Sequence, residues 1–251
     1  MYFAGNVFSH PVSFWIRQNA ESDSIAPRCF YEKYIARVWI ITVDRYRSYD
    51  PSPVWMRAGW VTWLILGACV VVTLATWFGS NRLTDWMRWS TADISAGQWW
   101  RAITPAFLHF RAFGSIFTHI LFNCLWWLML GGLIEWHEGS LRLILLFLLS
   151  ALVGNVIGGF FYGSHYGGLS GVCFALVGYV WLRGFDVPEY RAMVQTQLFY
   201  ACIAFMLAGF VGLVPGMADW VHAAGLATGL LVASLFRLAP RYRRWLPQRS
   251  E

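Results

Sequence analysis

The sequence predicts an all-α membrane protein with six transmembrane helices, a short central fourth helix and an interfacial loop after the first. Three observations lead there. Hydrophobic residues make up 58% of the 251-residue chain and charged residues 13%, with a mean hydropathy of +0.49, a composition foreign to ordinary soluble domains. Six apolar runs are set apart by charged, glycine-rich or proline-containing segments. One of them, Ser170–Arg183, has about 14 residues and reaches roughly 21 Å, against a hydrocarbon core of about 30 Å. Its serine end therefore stops below one membrane surface. A polar loop cannot face lipid at that depth, so it must line a protein-enclosed, wet cavity.

Charge agrees with a membrane reading. Nineteen Lys and Arg against thirteen Asp and Glu give a net +6. Seven of those nineteen precede the first apolar span and five follow the last, as expected of cytoplasmic flanks rather than a nucleic-acid surface. Cys29, Cys69, Cys124, Cys173 and Cys202 form no CxxC pair, so neither a disulfide framework nor a zinc site is predicted. The first long apolar run begins near Ala58, too far in for a signal peptide.

Taken in order, residues 1–57 form a mixed N-terminal region of unknown fold, broken by Pro11, Pro27, Pro51 and Pro53. Within it Glu32–Tyr46 reads either as a strand of a small module or as a helix lying on the membrane. Ala58–Phe78, about 21 residues without a charge, is the first span. Asn81–Ser115 is too charged to span, yet it carries Trp86, Trp89, Trp99, Trp100, Phe107, Phe110 and Phe113. That predicts a functional structure lying in the interface.

Ile116–Ile134 is the second span, and Leu141–Phe161 the third, with Ala151, Gly154, Gly158 and Gly159 permitting close packing. Ser170–Arg183 is the fourth, and Met193–Val214, closed by Pro215-Gly216, the fifth. Asp219–Phe236 is the sixth, and residues 237–251 are a basic tail. Six spans put both termini on one side, and their arginines mark it as cytoplasmic. The cavity beside Ser170 then opens to the opposite face.

Polar groups at membrane depth are costly and point to function. Ser170, in Gly167-Gly-Leu-Ser-Gly-Val172, opens its helix where amides lack intrahelical partners and the dipole is positive. An oxyanion there meets ready donors, and Gly167, Gly168 and Gly171 allow a substrate backbone to come close. The plainer alternative is a serine N-cap between two membrane helices. His119 and Asn123, at i and i+4, share one face of the second span. His222 stands near the start of the sixth, with Gly225 and Gly229 on about the same face. Gly171, Ala175 and Gly178 form a small stripe on the fourth. Two such faces let helices pack closely and would bring His222 to Ser170, the arrangement of a base-activated nucleophile.

Each histidine also has a structural alternative: His222 as a partner of a carbonyl across helices, His119 with Asn123 as packing contacts. Asn155 reads as a packing contact, and His109, His137 and His165 as solvated loop or span-end residues. No HExxH motif is present, so no metal is expected. Asp219 is the only carboxylate in the last four spans, so a two-aspartate mechanism lacks its residues.

Four motifs then fall in order: Trp100-Arg101 in the loop, His119-x-x-x-Asn123 on span two, Gly168-x-Ser170-Gly171 opening span four, and His222-x-x-Gly225-x-x-x-Gly229 on span six. Together they resemble the rhomboid intramembrane serine proteases, in particular the bacterial GlpG type, over roughly residues 58–236. The resemblance implies a six-helix protease domain over 58–236 and a cofactor-free Ser170–His222 dyad. It implies an oxyanion hole from His119, Asn123 and the Ser170 amide, and a cavity lined by Gly167, Gly168, Phe174 and Asp219. Trp100 and Arg101, with Glu135, would fix the interfacial loop, and Gly171, Gly225 and Gly229 would hold span six against span four. Implied partners are the lipid bilayer and transmembrane protein substrates, with no nucleic acid and no metal. The implied location is a bacterial inner membrane, the cavity facing the periplasm.

The chain departs from the GlpG type in three places. Phe174 stands where the family often has tyrosine, Asp219 where an asparagine often precedes the catalytic histidine, and Arg111–Thr118 lengthens the loop end. Two other readings remain: a catalytically silent relative that binds membrane clients, and a small transporter using the broken fourth helix. The transporter predicts inverted repeats, which the sequence does not display.

Overall fold

The computed structural model describes residues 52–110 and 115–238. The readings of residues 1–51, of 111–114 in the lengthened loop end and of the tail beyond 238 fall outside them.

The described residues are helical. A short α1 (Val54–Arg57) leads into α2 (Trp60–Ala75), the first apolar helix. It is shorter than the expected Ala58–Phe78. Gly59 is extended at its start, while Trp77, Phe78 and Gly79 take φ of 49°, 55° and 83°. The chain thus turns before the apolar run ends. The interfacial segment contains α3 (Arg82–Met87), capped by the Asn81 side chain, α4 (Thr91–Ser95), capped by Ser90, and two 3₁₀ turns at Trp99–Ala102 and Thr104–Phe107.

The second apolar element runs from α5 (Ile116–Trp126) through a π-helical stretch (Trp127–Gly131) into α6 (Gly132–Glu138). It extends past the predicted Ile134, because the charged residues Glu135 and Glu138 have partners inside the protein. The third, α7 (Ser140–Tyr162), is followed by α8 (Ser170–Arg183), whose bounds are those expected. A separate helix, α9 (Pro188–Met193), starts at its proline, and Val194 breaks it from α10 (Thr196–Phe210). The expected fifth span, Met193–Val214, is therefore shorter. Finally α11 runs Asp219–Leu238.

Phe117–Glu138, Ser140–Tyr162 and Asp219–Arg237 are long and apolar enough to cross a membrane, whereas α2, α8 and α10 are shorter apolar helices. Their outward faces carry large exposed apolar side chains, such as Leu121, Phe122, Leu145, Leu149 and Leu231. In water such surface would be a liability; in hydrocarbon it is the normal exterior.

Helix α8 is the central post. Ten of its 14 residues are buried, and its most extensive neighbour is α11. Glycine makes that contact possible. A Cβ on Gly225 would overlap the Gly171 carbonyl, one on Gly229 would overlap the Ala175 carbonyl, and one on Gly178 would come 2.9 Å from the Leu226 carbonyl. The backbones thus pack directly on one another, the small-residue mode of membrane helices. Val221 is keyed into the same seam: added Cβ atoms on Gly171 and Gly158 would meet its methyls at 2.7 and 2.8 Å. That fixes the rotation of α11 one residue before His222.

Candidate active site

The seam between α8 and α11 delivers two polar side chains to one point. Ser170 Oγ lies 2.8 Å from His222 Nε2, although 52 residues separate them in sequence. Phe174, one turn further along α8, stacks on the imidazole with centroids 4.8 Å apart and planes 23° apart. His222 is 6% exposed, and its Nδ1 is buried without a hydrogen-bond partner. Ser170 is the first residue of α8, so the helix's leading amides are directed past its hydroxyl.

Helix α5 contributes His119 and Asn123, which meet the loop just before Ser170 at Gly168. His119 Nδ1 is 3.1 Å from the Phe110 carbonyl. Since a carbonyl only accepts, Nδ1 carries the proton and Nε2 is left facing the site. Gly168, at φ 116°, lies directly against it: a Cβ there would sit 2.6 Å from His119 Nε2 and 3.5 Å from Asn123 Nδ2. A side chain at 168 would fill the space these two groups share. Asn123 is 4% exposed, and its Nδ2 is buried without a partner. An amide donor left unbonded in a protein interior costs free energy. Cys173 Sγ, 3.6 Å from the Asn123 carbonyl, ties α5 to α8 at this level.

The loop before α8 is fixed to the interfacial segment. Gly168 N donates to the Pro105 carbonyl at 2.9 Å, and Gly167 lies so close to Leu108 and Phe110 that a Cβ would meet both. Arg101 organises that segment from within: it donates to the Asp85 and Arg88 carbonyls at 2.6 and 2.9 Å and to Gln98 Oε1 at 2.8 Å. Trp100 packs on Trp86 with centroids 4.9 Å apart.

Four sequence expectations need correction. Glu135 does not touch the interfacial segment. It accepts from Val61 N, Thr62 N, Thr62 Oγ1 and Ser140 Oγ at 3.0, 2.8, 2.6 and 2.7 Å, so it caps α2 from α6, an anion at a positive helix end. Asp219 is directed at α10, where Gly209 makes room for its carboxylate, rather than at His222; its Oδ1 is buried without a partner. Asn155 is more than a packing contact, donating to the Ala102 and Ile103 carbonyls at 2.9 and 3.3 Å and pinning the interfacial segment to α7.

The fourth is His109, which is fully buried rather than solvated. Its Nδ1 lies 3.0 Å from the Phe107 carbonyl and 3.2 Å from Thr73 Oγ1, and its ring meets that of His119 edge-on at 5.1 Å. Burial, helped by the neighbouring His119, pulls its pKa down from 6.5 to about 3. The apolar setting Phe107-Leu108-His109-Phe110 is the signal that marks it as buried. Of the other two, His137 bonds Glu189 at 2.6 Å, and His165 is exposed as expected. Among the described residues no group of three or more His, Cys, Asp or Glu side chains is placed to hold a metal ion.

The arrangement is a hydroxyl against an imidazole, with an unbonded amide donor and a helix start beside it, inside a bundle with lipid-compatible flanks. This defines an integral membrane protein with a buried serine–histidine contact. The Rhomboid domain matches residues 96–239, more than half of the chain and all of these groups, and the chain belongs to the rhomboid family of intramembrane proteases.

Proposed function

We propose that this chain is an active intramembrane serine endopeptidase, cleaving peptide bonds in or near transmembrane segments of other membrane proteins. The observation that carries the reading is the 2.8 Å contact of Ser170 Oγ with His222 Nε2. With Nδ1 protonated, Nε2 takes the hydroxyl proton as Oγ bonds to the scissile carbonyl carbon. The carbonyl oxygen becomes an oxyanion beside Asn123 Nδ2 and the Ser170 amide. His119 in its neutral form has no proton on Nε2, so it donates to the oxyanion only as an imidazolium. The C–N bond then breaks, the leaving amine takes the proton from Nε2, and an acyl-enzyme remains on Ser170. Water, deprotonated by His222, attacks the ester and restores both groups.

In the same reading α2, α5–α6, α7, α8, α10 and α11 are six spans, with residues 58–236 as the protease domain. Residues 1–57 and 237–251 are cytoplasmic, and the cavity opens to the periplasmic side of an inner membrane. Three helices of spanning length, with three shorter apolar ones packed among them, support this count.

The test is labelling of the detergent-purified chain by a fluorophosphonate probe, together with cleavage of a single-span substrate in liposomes. Labelling and cleavage that both vanish in Ser170→Ala and His222→Ala are the expected result. A folded wild-type protein that neither labels nor cleaves would be a client-binding relative.

A further inference from the structure

A recess lies apart from the Ser170–His222 pair and shares no residue with it. It measures about 410 Å³ and lies between the interfacial segment (Asp85, Arg88, Trp89, Ser90, Thr91, Asp93, Arg101) and Gly163–Ser164, a volume within the range of small-ligand sites. Its depth in the membrane follows from α7. That helix has 23 residues, roughly 35 Å at 1.5 Å per residue, enough to cross about 30 Å of hydrocarbon. Gly163 and Ser164 come directly after its last residue, so the recess lies at headgroup level. Exposed aromatic residues stand close by in the chain: Trp86 and Trp99 on the segment and Phe160 on α7, the last 82% exposed. Such rings belong at the membrane–water boundary.

The walls are fixed. The Trp89 indole occupies the place where a Cβ on Gly159 would be, and its Nε1 donates to Thr91 Oγ1 at 3.1 Å. Arg101 is committed to the backbone carbonyls of its own segment. Arg88 is not: its nearest anion is Asp85 Oδ1 at 3.5 Å, too long for a strong pair, and its Nε is buried without a hydrogen bond. Asp85 and Asp93 keep side chains 68% and 43% exposed. The recess thus offers one available guanidinium, the hydroxyls of Ser90, Thr91 and Ser164, and a carboxylate next to them. Its charges are matched cation to anion, which suits a zwitterion better than a simple anion.

We propose that this recess binds the headgroup of an aminophospholipid, with the phosphate on Arg88 and the hydroxyls and the ammonium on Asp85. Arginine favours a phosphate diester through its fork of donors, and the lipid's chains lie along the adjacent aromatic and aliphatic surface. The proposal needs only a membrane and stands independently of peptide hydrolysis.

Native mass spectrometry of the full chain in detergent, titrated with phosphatidylethanolamine, phosphatidylcholine or phosphatidylglycerol, tests it. Wild type should retain one phosphatidylethanolamine more tightly than the other two. Arg88→Gln should weaken retention about tenfold, or about 1.4 kcal/mol, while Arg88→Lys keeps part of it. Asp85→Asn should remove the preference for phosphatidylethanolamine over phosphatidylcholine without lowering phosphatidylcholine itself. Near-ultraviolet circular dichroism checks that each variant is folded. Equal retention by folded Arg88→Gln overturns the proposal. Displacement of the lipid by millimolar inorganic phosphate also overturns it, the ligand then being free phosphate.

Discussion

The two ends of α8 face opposite demands. At its start, beside Ser170, buried polar atoms lack partners: Asn123 Nδ2, His222 Nδ1 and, behind His119, His109 Nε2. At its far end most polar side chains are bonded to one another, although Arg57 Nε there is also buried without a hydrogen bond. Glu138 accepts from Arg142 at 2.6 Å, Tyr179 at 2.6 Å and Tyr190 at 3.0 Å, with Arg183 3.7 Å away, and Arg183 also pairs with Asp186 at 3.2 Å. Nearby, Glu189 binds both Arg57 and His137 at 2.6 Å. Burial raises the Tyr190 hydroxyl's pKa, and the adjacent Glu138 adds to it, so that phenol stays a donor. One end spends its polar groups on holding helices together; the other leaves several of them without a protein partner.

That contrast can be broken by mutation. Ser170→Ala or His222→Ala should lower peptide cleavage by on the order of 10⁴-fold or more and leave thermal unfolding in detergent nearly unchanged. A large loss of stability would mean that the pair is structural. Glu138→Ala should do the reverse, costing about 3–5 kcal/mol of stability by stranding buried cations, with activity falling only as far as the folded fraction does. Denaturant unfolding measures the first and turnover per folded molecule the second. Asn123→Ala should reduce kcat by roughly 10²–10³ with little change in stability, since its donor has no partner to lose. An unchanged kcat removes it from the oxyanion hole.

The last effect is one of pH and is spread over several pH units. His109 has a folded pKa of about 3 against 6.5 ordinarily, so between those values the unfolded chain binds the extra proton. Stability from this group is complete above pH 6.5 and is lost as pH falls toward 3, at up to about 1.4 kcal/mol per pH unit. His109→Ala should flatten that slope in acid unfolding curves. If it does not, the histidine is not kept neutral by burial.

The helical class and the bounds of α8 were legible in the chain, because apolar runs and the Ser170 and Arg183 boundaries are local features. The small stripes of Gly171, Ala175 and Gly178 and of Gly225 and Gly229 also foretold which helices come close, since absence of a side chain is itself visible in sequence. What could not be read was where polar side chains reach. Glu135 caps a helix 74 residues away, and Asn155 bonds carbonyls 53 residues away. His109 is buried by neighbours from α2 and α5. The early end of α2 depends on backbone angles at Trp77 and Phe78 that hydropathy does not report.

The π stretch at Trp127–Gly131 adds a constraint of its own. It accommodates about one surplus residue within a continuous helix, and one residue is about 100° of rotation. His119 and Asn123 stand before it and Glu135 after it, so the stretch works as a phase shifter between two faces that serve different ends. Removing a single residue there would let the helix become regular with its two halves still facing as they do, because the bulge turns about as far as one residue fewer of α-helix. Removing one from the regular turns on either side would instead rotate one half by about 100° and aim either the α2 cap or the groups beside Ser170 at lipid. A one-residue deletion within Trp127–Gly131 should therefore be tolerated better than one in the turns that flank it.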